Sequence, residues 1–189
     1  MSHTFKVMSM YYFEKIAITI LLTLSDKEFL LKNPIRLDKS NQVTTLSSFG
    51  PNFDIRLLVN ADLSKDGTEA NIFDISTGRA KHEKSAIELY TNNIGQPAFT
   101  LKIHNKLETE IIEHQGIEVN KPYYIVIKQR DGNLKLFING VEINSLSFDF
   151  SEFKHVKVLI PHPWSHPSDG IVSSFNLRLG SKSGMENYA

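Results

Sequence analysis

The sequence predicts an all-β fold built as an antiparallel β-sandwich, and its strongest signal is a meander over residues 123–147. Within it, Asp131-Gly132 and Asn139-Gly140 separate runs of alternating apolar and polar residues. A type I′ turn needs positive φ at both central residues, so these dipeptides are the strongest short-range hairpin signals. The meander is therefore expected to contain antiparallel strands at 123–130, 133–138 and 141–147, and the rest of the chain must cover its apolar face.

Short apolar runs separated by turn residues continue along the chain at the spacing of about 8–12 residues that is typical of sandwiches. They predict further strands at 29–31, 42–46, 53–58, 71–75, 86–90, 99–103, 107–112, 146–150, 156–160 and 171–179. Residues 148–153 could instead hold a single helical turn. Each strand is expected to bury one face between two stacked sheets and to present polar residues outward.

Length and composition limit the function classes. The 189 residues suffice for one sizeable domain. Lysine plus arginine and aspartate plus glutamate both number 21, and this balance argues against nucleic acid or an anionic membrane as the main partner. The absence of cysteine excludes disulfides, thiolate metal sites and cysteine nucleophiles.

The apolar run 16–24 near the N-terminus has two interpretations. It is far shorter than the roughly 20 residues that span a bilayer. As the core of a secretory signal it follows Lys6 and Lys15, with Thr23 and Ser25 at positions −3 and −1 of a cleavage site. Alternatively, the run is a buried strand.

These features divide the chain into three parts. Residues 1–25 are predicted to be a signal peptide or an N-terminal extension, which implies a secreted, extracellular protein. Residues 26–180 form the sandwich. Residues 181–189 have no apolar pattern and are predicted to be a flexible tail.

One block of residues carries a resemblance to a known superfamily. Residues 120–143 combine a proline, an aromatic, an alternating strand, D-G-N and then L-K-L-F-I-N-G. This block resembles the concanavalin A-like jelly-roll superfamily, nearest to its laminin G-like and pentraxin- or galectin-like members. The closing run 171–179 also fits that superfamily's return of the C-terminal strand beside the N-terminal one. The resemblance implies a jelly roll that binds glycans or extracellular proteins, and fold alone does not establish function.

The chemical motifs of that superfamily are absent. Retaining glycosidases need two carboxylates about 5–5.5 Å apart on one face, and Glu108, Glu110 and Glu113 are the nearest approach, at the wrong spacing. Glu108 and Glu110 are better interpreted as the solvated face of a strand. The galectin runs His-x-Asn-x-Arg and Trp-x-x-Glu-x-Arg do not occur. The chain is therefore predicted not to be an enzyme, and a glycoside hydrolase is the disfavoured third interpretation.

The loop 161–170 (PHPWSHPSDG) is the first candidate binding site. It contains Trp164, the only tryptophan, flanked by His162 and His166, with Asp169 close by. A rigidly held tryptophan face suits a sugar ring or a cation, and the histidines with Asp169 could hold a metal. The alternative is that Trp164 caps the end of the sandwich while the prolines prevent edge pairing.

Two further clusters are candidates. Asp62, Asp66 and Glu69 surround Gly67 in a loop whose oxygen ligands are compatible with Ca²⁺, although acidic residues with glycine are also typical of an ordinary turn. No other cofactor is indicated.

Glu88, Tyr90, Lys102 and His104 point outward from two predicted strands and could line a polar groove on one sheet face. A merely solvated sheet face has the same composition.

Together these observations predict a recognition module. Carbohydrate binding on a lectin-like surface is the leading function, and recognition of an extracellular protein, as in adhesion modules of laminin G-like type, is the alternative. The partner is accordingly a glycan or an extracellular protein, with no nucleic acid and no membrane insertion.

Overall fold

The structure, a computed structural model, describes most of the predicted sandwich. The described residues are 28–31, 33–38, 40–60, 69–77, 85–92, 96–105, 107–163 and 170–180. The predicted signal peptide (1–25) and the predicted tail (181–189) lie outside them. No helix among these residues is long and apolar enough to cross a membrane.

The described residues form two antiparallel sheets, with strands numbered along the chain. The first sheet contains, in spatial order, β1 (Glu28–Leu30), β13 (Ile171–Leu179), β4 (Phe53–Asn60), β9 (Pro122–Arg130), β10 (Asn133–Ile138) and β11 (Val141–Ser147), and β2 (Ile35–Arg36) also pairs with β13. The second contains β3 (Gln42–Phe49), β12 (Phe153–Leu159), β5 (Ala70–Ser76), β6 (Ser85–Asn92), β7 (Ala98–His104) and β8 (Thr109–Gln115).

The two sheets stack face to face, and the alternate residues of their strands fill the space between them. Phenylalanines dominate one end of this core: the Phe49 and Phe53 rings lie 4.8 Å apart, and Phe150 meets both edge-on. The predicted inward residues are buried throughout, including Ile55, Leu101 and Ile127. The predicted all-β antiparallel sandwich of jelly-roll type is thus confirmed.

The central meander has the predicted turns. Asp131 and Gly132 adopt φ of 49° and 75°, and Asn139 and Gly140 adopt 51° and 81°. All four residues lie in the left-handed region that a type I′ turn requires. The β9–β10 and β10–β11 pairs are antiparallel as predicted. The closing strand also returns as expected, because Phe29 of β1 pairs with Leu177 of β13.

Two local predictions are wrong. No separate strand occupies 146–150, because β11 runs on to Ser147 and residues 148–152 are irregular, without a helical turn. Phe148 and Phe150 nevertheless lie in the core, so their apolar character reflects burial of a connecting segment. The two-residue strand β2 was not predicted, since so short a run carries no periodic signal.

Replacing Gly140 with valine tests the turn geometry. A β-branched residue at this positive φ is expected to destabilise the protein by about 1–3 kcal/mol, the usual penalty of a strained backbone position. Urea unfolding measures the change. Gly50→Ala is the control, since Gly50 has open space around its Cα and no positive φ. Equal stability of Gly140→Val and the wild type would contradict the assigned turn.

Candidate functional site

A row of side chains crosses the outer face of the second sheet. Antiparallel pairing sets Asp74 of β5 opposite Glu88 of β6, and Glu88 opposite Lys102 of β7. The row continues to Ile111 of β8 on one side and to Leu159 of β12 on the other. Directly opposed residues have Cβ atoms about 4.5–5.5 Å apart, so charged groups from three strands meet at the centre of this face.

Glu88 is the hub of the hydrogen bonds there. Its Oε1 accepts hydrogen bonds from the Tyr90 hydroxyl at 2.8 Å and from the Ser85 hydroxyl at 3.0 Å. Its Oε2 lies 3.2 Å from Nε2 of His104. The other ring nitrogen of His104 lies 2.8 Å from the Thr109 hydroxyl. One carboxylate therefore fixes the orientation of three neighbouring side chains.

These contacts also set the ionisation of the group. Burial opposes the negative charge of Glu88, but the hydrogen bonds from His104, Tyr90 and Ser85 outweigh it, so the pKa of this carboxyl lies below its usual value. Burial and the charge of Glu88 raise the pKa of the Tyr90 phenol. Glu88 is therefore an anionic acceptor and Tyr90 a neutral donor over the physiological range.

Lys102 lies over the aromatic ring of this face. Its Nζ is 4.4 Å from the centroid of Tyr90, close enough for a cation–π interaction. The same ammonium donates to Oε2 of Glu69 at 2.9 Å. Glu69, which the sequence placed in the acidic loop, thus contributes its carboxylate to the sheet face.

Asp74 is the buried member of the row. Its side chain has no exposed surface, and neither carboxylate oxygen has a hydrogen-bond partner among the described residues. Burial, together with the negative charge of Glu88, raises the pKa of Asp74 to about 7. The nearby hydroxyls of Ser85 and Ser76 favour the charged form, but neither makes a hydrogen bond of good geometry to Asp74, and they do not cancel the rise in its pKa.

His162 brings the start of the 161–170 loop onto this face. Its Nε2 lies 3.5 Å from Oδ2 of Asp74, and its backbone N–H donates to Oδ1 of Asn71 at 2.9 Å. Burial lowers the pKa of the His162 ring, which the charge of Glu88 only partly opposes. The raised pKa of Asp74 and the lowered pKa of His162 both disfavour a fully charged ion pair between these two side chains.

The structure thus brings together five residues predicted from separate parts of the sequence, with Glu88 at their centre. Tyr90, Lys102 and His104 share the sheet face as predicted, and His162 joins them. The other predicted site residues lie outside the described residues: Trp164, His166, Asp169, Asp62 and Asp66. A metal at either of those places stays a prediction.

Asp74 and Asn71 were missed as site residues. Both belong to β5, in which every residue is buried. The available signal was the carboxylate of Asp74 within the mostly apolar run NIFDI, which predicts a buried strand. Charged residues are almost never fully buried without a partner, so a charge in such a run points to a special environment. Simple alternation assigns residues three apart to opposite faces, and only the register irregularity between Asn71 and Phe73 brings Asn71 and Asp74 to the same face.

The opposed carboxylates do not form an exposed catalytic pair. Asp74 and Glu88 have pKa values pushed apart, as a general acid and base require. Asp74, however, has no surface from which to reach a substrate, so in this structure it can act only through its neighbours.

Glu108 lies before β8 and accepts a hydrogen bond from Asn105 at 3.0 Å. It therefore does not share a strand face with Glu110, contrary to the prediction.

Known proteins resemble this chain in fold. No family model matches it, and no curated protein is similar in sequence. Similar solved structures include the galectin LEC-6 of Caenorhabditis elegans, with a TM-score of 0.51 and 14% identity over 81% of this chain and 96% of the galectin. A pentraxin from Limulus polyphemus has a TM-score of 0.55 and 12% identity over 83% of this chain and 79% of the pentraxin.

A third similar structure is a carbohydrate-binding module, CBM40, of a sialidase from Ruminococcus gnavus, determined with bound α2,3-sialyllactose. It has a TM-score of 0.54 and 12% identity, covering 76% of this chain and 92% of the module. Likeness at such low identity shows the fold alone, an antiparallel sandwich of jelly-roll type. The finer resemblance to laminin G-like modules stays a prediction.

Asp74→Asn tests the ionisation of the buried carboxyl. Its pKa is about 7 in the folded protein, against 3.8 for an ordinary aspartate. The protonated carboxyl therefore favours the folded state fully below 3.8, and this contribution is lost as the pH rises to about 7. Asparagine does not titrate. The stability of the variant relative to the wild type should thus increase between pH 4 and 7 and then stay constant.

Urea unfolding at a series of pH values measures this difference. Asp38→Asn is the matched control, because it makes the same substitution at a surface position where about half of the side chain is exposed. A pH-independent difference for Asp74→Asn would contradict the raised pKa.

Proposed function

We propose that this chain is a non-catalytic, lectin-like module that binds carbohydrate on the outer face of the second sheet. The observation that carries the proposal is the set of three side chains, Ser85, Tyr90 and His104, held by the single carboxylate of Glu88. Groups fixed before a ligand arrives lose little conformational entropy on binding, which favours recognition of a polar ligand.

The chemistry of this face suits sugar hydroxyls. Glu88 offers an anionic acceptor, Lys102 an ammonium donor and Tyr90 a hydroxyl and part of an aromatic ring. A merely solvated face would carry exposed side chains, as β8 does at Glu113. The contrast between β8 and the neighbouring strands β6 and β7 favours a preorganised binding site on β6 and β7.

The fold supports the same function without deciding it. A galectin and a carbohydrate-binding module share the jelly roll, and fold alone does not fix function. The site is shallow, so affinity for a single sugar is expected to be weak and to gain from multivalency. We also propose that the protein is secreted, on the pattern of residues 1–25.

Recognition of an extracellular protein is the second candidate, and a separate observation favours it. Strand β8 lies at the edge of its sheet among the described strands. Ile111 on this strand is 57% exposed, and Leu107 just before it is 96% exposed. An edge with exposed apolar side chains can accept a strand or an apolar segment from a partner.

A glycan array on the purified protein and on Glu88→Gln tests the leading proposal. The glutamine keeps the shape of the side chain but removes the anionic acceptor, so binding to the selected glycan should weaken by about tenfold or more, as expected for a charged hydrogen-bonding group. Glu142→Gln is the matched control, because Glu142 pairs with Lys135 on the other sheet, and it should bind like the wild type.

Leu107→Thr separates the two candidates, because Leu107 is exposed and lies before β8, outside the row that contains Glu88 and Lys102. A lectin keeps its glycan selectivity in this variant and loses it in Glu88→Gln. An array without a selective signal that Glu88→Gln abolishes would contradict carbohydrate binding at this face and would favour the protein-recognition alternative.

The predicted role of Trp164 has its own test, since it is the only tryptophan. If Trp164 forms a sugar platform, iodide should quench its fluorescence and a bound saccharide should protect it. If Trp164 caps the sandwich, iodide should have little effect with or without saccharide. Glu88→Gln should abolish any protection if the loop and the sheet face bind one ligand.

A further inference from the structure

A second surface lies on the opposite side of the molecule, on the outer face of the first sheet. An open groove of about 240 Å³ runs over strands β4, β9 and β10. It is lined by Arg56, Tyr124, Val126, Lys128, Phe137 and Gly140. Pockets for drug-sized ligands measure roughly 300–1,000 Å³, so this groove has room for a single ring.

The floor of the groove is apolar although it faces outward. Val126, which pairs with Arg56 on one side and Phe137 on the other, is only 8% exposed. Tyr124 beside it is 40% exposed. An outward residue that is almost completely covered by its neighbours shows that these side chains pack into a continuous apolar surface, to which the flat face of a ring can bind.

Arg56 is held in a fixed orientation at the groove. Its Nε and Nη2 donate to the two carboxylate oxygens of Asp54 at 3.0 and 2.7 Å. Asp54 is only 3% exposed, so the pair is anchored from beneath. A guanidinium has five N–H donors; two serve this bidentate contact and a further one interacts with the Tyr124 hydroxyl, so others are left for a ligand.

Lys128 supplies a second positive charge. Its Nζ lies 5.7 Å from the centroid of the Phe137 ring, and it makes no ion pair with any other described residue. No carboxylate lines the groove: Asp54 is the cross-strand partner of Lys128, but it is only 3% exposed and both of its oxygens accept hydrogen bonds from Arg56. The groove therefore combines an apolar floor with the ammonium of Lys128 and the remaining N–H donors of Arg56, a combination complementary to an anion attached to a ring.

We infer that this groove is a second ligand site, which binds a six-membered ring bearing a carboxylate group. The ring would lie against Val126, Phe137 and Tyr124, and the carboxylate would accept hydrogen bonds from Arg56 and Lys128. Two sources share this chemistry, a uronic acid sugar and an aromatic acid. The site is separate from the Glu88 face, since the core of the sandwich lies between them.

Titration of the whole protein with sodium glucuronate and with sodium benzoate, followed by NMR of the backbone amides, tests the inference. At least one acid should cause saturable chemical-shift changes at β4, β9 and β10. The dissociation constant should lie in the millimolar range, which corresponds to a binding free energy on the order of −4 kcal/mol. Methyl glucoside, which lacks the carboxylate, and acetate, which lacks the ring, should not saturate.

The response to the two acids identifies the source. If only glucuronate saturates the site, the ligand is an acidic sugar, and if only benzoate does, it is an aromatic acid. Saturation by both acids indicates a general preference for a ring that bears a carboxylate. Saturation by neither acid, or equally by acetate, would overturn the inference.

Lys128→Met and Lys135→Met form a matched pair of variants. The two lysines are cross-strand neighbours on the same face, but Lys135 pairs with Glu142 at 3.0 Å and does not line the groove. Lys128→Met should weaken binding of the acid by about threefold to fivefold, the size of an exposed charge pair. Lys135→Met should leave binding unchanged, and an equal loss in both would show that only general surface charge attracts the acid.

Phe137→Leu tests the apolar floor and keeps the strand apolar. It should weaken binding of the ringed acid and leave the folded spectrum unchanged. Unaltered binding in this variant would contradict a ring stacked on Phe137.

Discussion

The apolar layer between the two sheets is the constraint on which the rest of this structure depends. Every strand must give one of its two faces to that layer, since alternate side chains point to opposite sides of a strand. Phenylalanines and branched aliphatic residues fill it almost without exposure. Any group that recognises a partner is thereby limited to an outer face, a sheet edge or a loop, and the polar residues on both outer faces are organised accordingly.

Two buried aspartates illustrate how differently these outer faces hold charge. Asp54 on the first sheet accepts two hydrogen bonds from Arg56, so its charge is compensated where it lies. Asp74 on the second sheet has no hydrogen-bonding partner among the described residues and faces the anionic Glu88. Burying a charge without compensation is strongly unfavourable, and the group shifts its pKa instead. The fold therefore tolerates Asp74 best in its protonated form, in line with its raised pKa.

The fold could be predicted from the sequence wherever the determinants are local. The turns at Asn139-Gly140 and Asp131-Gly132 require positive φ that few residues tolerate, and alternation along β6 and β7 assigned Tyr90 and Lys102 to one face. The remaining site residues depend on pairing between strands distant in sequence. The neighbours of Asp74 are set by a register irregularity in β5 and by the path of the chain before His162. The groove at Arg56 exists because β4 pairs with β9, whose partner residue Val126 is remote along the chain, and no local pattern encodes that pairing.

The core also separates the two outer faces energetically. Stacked sheets pack about 10 Å apart, and residues more than 7–10 Å apart without shared partners usually act independently. Glu88 and its neighbours share no described contact with Arg56 or Lys128. A change on one face should therefore leave the chemistry of the other intact, and the same sandwich can carry two sites of different character. The rigid core does not contact a ligand itself. Because it keeps the two faces apart, a few outward residues can determine the chemistry of each face.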